Sequence, residues 1–152
     1  MRTAAALVAL LALSWPGAVV ADAEETAGTA TRDPDYVSGK QAIERKDWPE
    51  AIKALGRVGL REPDNADVQN LLGYAWRNTG KYSVAFKHYE RALAIDPRHK
   101  GAHEYIGETY LKVGDLASAE KHLAVLRDLC PLSCEQLKDL EREIEEYRRK
   151  PR

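Results

Sequence analysis

The chain has 152 residues with 23 Lys+Arg against 24 Asp+Glu, a formal net charge of −1, and 44% hydrophobic and 31% charged residues. This is the composition of a soluble globular domain of ordinary size, long enough to bury a core. The balance excludes nucleic acid as the main partner, because neutralising phosphates takes a basic surplus. One Phe, seven Tyr and three Trp are too many aromatics for a wholly disordered chain.

Residues 1–21 read as a signal peptide. Arg2 is the only charge before Asp22, Ala4 to Leu13 is an unbroken apolar run, and Ser14, Trp15, Pro16 and Gly17 then break any helix. Small residues offer cleavage after Ala21 or Ala23. The run is about half of the roughly 20 residues a membrane anchor needs, and no later segment is apolar enough to span. Cleavage after Ala21 leaves 22 Lys+Arg against 24 Asp+Glu. The expected location is therefore periplasmic or secreted. Residues 22–31 are Ala, Glu, Thr and Gly without periodicity, a flexible leader.

From residue 32 a period of 34 governs the sequence. Pro63, Pro97 and Pro131 keep it, as do Gly39, Gly73 and Gly107, and Ala51, Ala85 and Ala119. The units are 32–65, 66–99 and 100–133. In each, a first helix carries the Gly and a second helix the Ala. A Gly inside a helix costs about 1 kcal/mol relative to Ala, so close approach of the second helix at the Ala is the expected reason. Large apolar residues surround these positions: Leu72, Trp76, Tyr82 and Tyr89 in unit two, Ile106, Tyr110, Leu116 and Leu123 in unit three, and Trp48, Leu55 and Val58 in unit one. Gly80 and Gly114 mark the turns within a pair, and the prolines end each second helix.

The phrases Leu72-Gly73-x-x-Trp76, Gly80-Lys81-Tyr82-x-x-Ala85 and Ala92-Leu93-x-Ile95-Asp96-Pro97 resemble the tetratricopeptide repeat family. Unit three repeats them through Ile106-Gly107-x-x-Tyr110, Gly114-Asp115-Leu116-x-x-Ala119 and Pro131, and unit one holds Gly39, Trp48, Ala51, Leu55 and Pro63. The resemblance implies an all-α fold, a right-handed α-solenoid of three helix-turn-helix units. With the signal peptide, it is similar to small exported bacterial repeat proteins. Residues 134–152 continue as a capping helix and basic tail. Leu137, Leu140, Ile144 and Tyr147 form one apolar stripe, and the charged opposite face keeps a solenoid end soluble.

The function that follows is a non-enzymatic interaction module or assembly scaffold of the cell envelope, which binds a peptide or protein segment. No phosphate loop, nucleophile elbow or His-Glu-x-x-His stands in the chain, and neither a cofactor nor a metal site is expected. In the family resembled, fixed positions of each first helix line a concave groove. Carried over, these are Tyr36, Lys40, Ile43 and Glu44, then Asp67, Asn70, Tyr74, Arg77 and Asn78, then Glu104, Glu108, Leu111 and Lys112. Asn suits a peptide backbone, Tyr gives a rigid amphipathic face, and Arg forks onto carboxylates. Asn70, Tyr74 and Arg77 share a helix face and are expected to stand free of the core. Leu71 and Tyr105 occupy places that a clamp for a C-terminal carboxylate needs polar, so that use is not expected. His88 and His122 read as solvated surface on the outer face of the second helices. His99 and His103 straddle a helix start with no third ligand in view for a metal. Cys130 and Cys134 read as a disulfide fixing the angle of the cap helix. The rival is a thiol-disulfide redox protein using that pair, although the spacing is Cys-x-x-x-Cys and no thioredoxin-like pattern surrounds it. Self-association through the solenoid ends is a third reading.

Overall fold

The computed structural model describes residues 33–151, so the expected signal peptide and leader lie outside the described residues. Seven helices follow in order: α1 (Pro34–Glu44), α2 (Trp48–Arg61), α3 (Ala66–Asn78), α4 (Tyr82–Ile95), α5 (Lys100–Lys112), α6 (Leu116–Leu129) and α7 (Glu135–Arg149). Each packs on the next, making three antiparallel pairs stacked as an α-solenoid, and α7 lies against both α5 and α6.

Local chemistry fixes the ends of the helices. Asp33, Asp47, Asn65, His99 and Asp115 each accept a backbone N–H of the first turn they precede, which satisfies one of the orphan donors there. The second helices stop at Arg61, Ile95 and Leu129, each two residues before its proline. Gly80 and Gly114 have φ of 76° and 85° at the turns within units two and three. Lys46 takes the same repeat position in unit one at φ 59°, a left-handed conformation that costs a non-glycine residue roughly 1–2 kcal/mol. Arg61 ties α2 back to the start of α1, with Nη2 2.7 Å from Asp33 Oδ2 and 2.8 Å from Asp35 Oδ2. Hydrogen bonds from Arg57 and then Arg61 hold the Asp35 carboxyl at about 2.

The repeated glycines close the pairs, though not against the repeated alanines. A Cβ on Gly73 would lie 2.5 Å from Tyr89 Cε1, and one on Gly39 would lie 2.6 Å from Leu55 Cγ. These side chains stand one turn beyond Ala85 and Ala51. Helical side chains lean toward the N-terminus, so each small alanine leaves room for the larger residue behind it. In unit three the facing atom comes from the cap instead: Leu140 Cδ2 is 2.7 Å from a Cβ on Gly107. Leu140, Leu137 and Ile144 are buried with Leu123, Leu126 and Cys130 in one cluster.

His88 and His122 are half-buried between the helices of their pairs, not on the outer face as the sequence suggested. His88 Nδ1 is 2.9 Å from Gln69 Oε1. At the equivalent place in unit three, His122 Nδ1 is 2.9 Å from His103 Nδ1. The other nitrogen of His103 donates to the Pro97 carbonyl at 3.0 Å.

Candidate functional site

The first helices of units two and three, α3 and α5, lie side by side with a constant stagger. Asn70 touches the Cα side of Gly101, the Tyr74 ring lies 4.8 Å from that of Tyr105, and Arg77 Nη1 donates to Glu108 Oε2. Each pair is 31 residues apart, where the repeat is 34. α5 is therefore displaced by about one turn against α3. The same spacing links Asp67 with Tyr36 and Glu135 with Glu104, pairs close enough for one charge to shift the other's ionisation. A single face thus runs from α1 through α3 and α5 to α7.

Along it, Tyr36 is buried and Lys40 exposed, the ammonium 6.0 Å from the Tyr36 ring. Tyr74 is half-buried, edge-on to Trp48 at 5.9 Å. The Arg77 guanidinium is 5.0 Å from the Tyr74 ring and 5.3 Å from that of Tyr105. Its side chain is 11% exposed and that of Glu108 14%. Asn78 is exposed and turned back, donating to the Tyr74 carbonyl at 2.8 Å. Asn70 and Glu104 are buried, at 6% and 7% exposure. Asn70 and Arg77 therefore do not stand free of the packed interior: the neighbouring unit covers one and pairs with the other.

The electrostatics follow from burial. Desolvation, reinforced by Glu108, Asp139 and Glu135 and countered by Arg77, pushes the Glu104 carboxyl up to about 8. Burial followed by the adjacent Glu104 raises the Tyr105 hydroxyl to about 12. The hydrogen bond from His99 Nε2 to Asp67 Oδ1, 3.0 Å, lowers the Asp67 carboxyl against its desolvation. His99 Nδ1 is occupied as the cap of α5. Among the described residues no three His, Cys, Asp or Glu side chains are grouped to hold a metal, and no helix is long and apolar enough to cross a membrane. Tyr105 and Trp48 join this face without having been marked for it. For Tyr105 the signal lies in the spacing of 31, which pairs it with Tyr74, whereas Trp48 reaches the Tyr74 ring from the start of α2, outside that spacing.

Away from this face, the Cys130 and Cys134 sulfurs are at bonding distance, with the Cα atoms 5.7 Å apart. Cys130 ends α6 and is buried, and Cys134 precedes α7.

Two models described as tetratricopeptide repeat match the chain, over residues 36–100 and 78–144, and so run from α1 into α7. The chain belongs to the tetratricopeptide repeat family. A curated relative of this tetratricopeptide-repeat chain, the TPR repeat-containing thioredoxin TTL4 of Arabidopsis thaliana, is 25% identical over 109 residues, covering 70% of the chain and 16% of its own length. The chain spans less than a fifth of the curated relatives it matches. Among solved structures, the TPR2B domain of yeast Sti1 in complex with pHsp70 aligns with a TM-score of 0.67 at 21% identity, over 74% of this chain and 94% of that one. The type III secretion translocator chaperone SycD of Yersinia enterocolitica aligns at 0.70 and 18% identity, over 82% and 87%. At these identities the likeness is one of fold.

Proposed function

We propose that this tetratricopeptide-repeat protein is a non-enzymatic interaction module of the cell envelope, exported after loss of residues 1–21 or 1–23, that receives an extended segment of a partner protein along α1, α3 and α5. The observation that carries the reading is the one-turn stagger of the first helices. It joins side chains of successive units into one face with aromatic, amide and charged groups in sequence, which suits a chain running across the helices. The yeast Sti1 domain, of the same fold, is itself described in complex with pHsp70. The thiol-redox reading has less support, because Cys130 is buried within the cluster that seats the cap. A disulfide there serves as a strut.

The test is capture of partners by the exported chain from its own envelope extract. Tyr74→Ala should weaken capture at least about tenfold, equivalent to about 1.4 kcal/mol, with folding checked by melting. Lys87→Ala with Glu90→Ala, on the exposed side of α4, should leave it unchanged. The reverse outcome places the function on the outer surface. Light scattering of the same sample reports whether the captured partner is a second copy.

A further inference from the structure

Beneath the groove face, α3 and α5 each hold a buried acceptor that has no donor. Asn70 Oδ1 is buried without a hydrogen-bond partner. Glu104, one repeat later at the same position, is buried too, and among the described residues it has neither a hydrogen-bond donor nor an ion-pair partner. The Asn70 amide reaches α5 at Gly101, with Nδ2 3.1 Å from the position of a Cβ there, and Gly101 is one turn before Glu104 on the same side of that helix.

The surroundings of Glu104 are of its own sign. Glu108 shares its helix, and Glu135 and Asp139 face it from α7. Arg77 faces it from α3 but is committed to Glu108. Burying a carboxylate unpaired is costly enough that the group protonates instead, in keeping with its upward shift to about 8. What such a place lacks is a cation bearing several N–H donors. A Lys ammonium offers three and an Arg guanidinium five.

We infer that the cap-side end of the groove is a subsite for a Lys or Arg side chain of the bound segment, which pairs with Glu104 and has Glu135 and Asp139 at its rim. The inference rests on the groove reading above and adds the sign of the ligand's charge. On binding at neutral pH, the Glu104 carboxyl gives its proton to water and the ligand's cation takes the proton's place as counter-charge.

The test uses the full exported chain and pools of capped nine-residue peptides with randomised neutral flanks and a fixed central Lys, Arg, norleucine or Glu. The Lys and Arg pools should be retained at least about tenfold better than norleucine, and the Glu pool least. Glu104→Gln should erase that preference, and Glu90→Gln on α4 should not. Should Glu104→Gln misfold, carboxyl-carbon NMR of the unaltered chain at pH 7 decides: a Lys peptide should move the Glu104 signal to its ionised position, and its norleucine counterpart should leave it. Equal retention of Lys and norleucine pools, a Lys preference that survives Glu104→Gln, or an unmoved Glu104 signal overturns the subsite. Retention that still depends on Tyr74 then leaves the groove standing, whereas failure to retain any pool removes both.

Discussion

At Gly73 the hydrogen in place of a side chain lets the Tyr89 ring press close against α3. Gly73→Leu would drive a side chain into that ring, and overpacking of this kind costs roughly 1–3 kcal/mol. Urea unfolding should show the lower midpoint at unchanged slope. This residue was legible in the sequence because its constraint recurs in every unit. Arg77, Glu108 and Tyr105 were not legible as a set, because none is repeated at its own position and each contact crosses between units. Titration exposes two further residues. His122 is pushed down to about 4 by burial and then by His103, from an ordinary 6.5. The unfolded chain takes up that proton first, so stability falls as pH drops from about 6.5 to about 4. Glu104 acts in the other direction: its folded value of about 8 lies above the ordinary 4.5. Its stabilising share is full below about 4.5 and is lost as pH rises toward about 8. The two opposite slopes cancel where they overlap, so denaturant midpoints should be highest and nearly level from about pH 4.5 to 6.5 and fall on either side. Glu104→Gln should flatten the alkaline limb and His122→Asn the acid one. Limbs unchanged by either substitution would refute the assignment.

Among the elements, α7 stands apart, since it occupies the place of a further first helix and, among the described residues, packs only on α5 and α6. Its stripe of Leu137, Leu140, Ile144 and Tyr147 was readable as one apolar face, and three of the four are buried. The link the stripe did not disclose is that Leu140 reaches Gly107. By the repeat, Leu123 of α6 should meet Gly107 as Leu55 and Tyr89 meet their glycines, so periodicity pointed to the second helix and not to the cap. Leu140→Ala removes a fully buried side chain and should cost about 2–5 kcal/mol, read by thermal or urea unfolding. A loss below about 1 kcal/mol would mean that α7 only rests on the stack. The turn within unit one was likewise hidden: Lys46 does there what glycine does in its two successors, and nothing in its identity announces a positive φ.

For the whole molecule, mass spectrometry of the exported protein should find Asp22 or Glu24 at the N-terminus, and an intact Met1 would overturn the processing expected from the apolar run. The number of units and the order of helices were legible because 34 residues bring the same residue types back. The stagger between units was not, because it depends on how one pair lies against the next, and no residue encodes that alone.

A consequence of the stagger concerns lengthening the stack. Were residues 66–99 duplicated in tandem, every helix pair would still find a neighbour of the right shape. Yet a residue meets the one 31 places later, so the first Arg77 would now lie opposite the copied Tyr74 instead of Glu108. Its guanidinium would be enclosed without a carboxylate, and only the second copy would keep its counter-ion. The units are alike enough to stack in any number, but their charges allow only the present order, and the cradle has a direction that its helices do not impose.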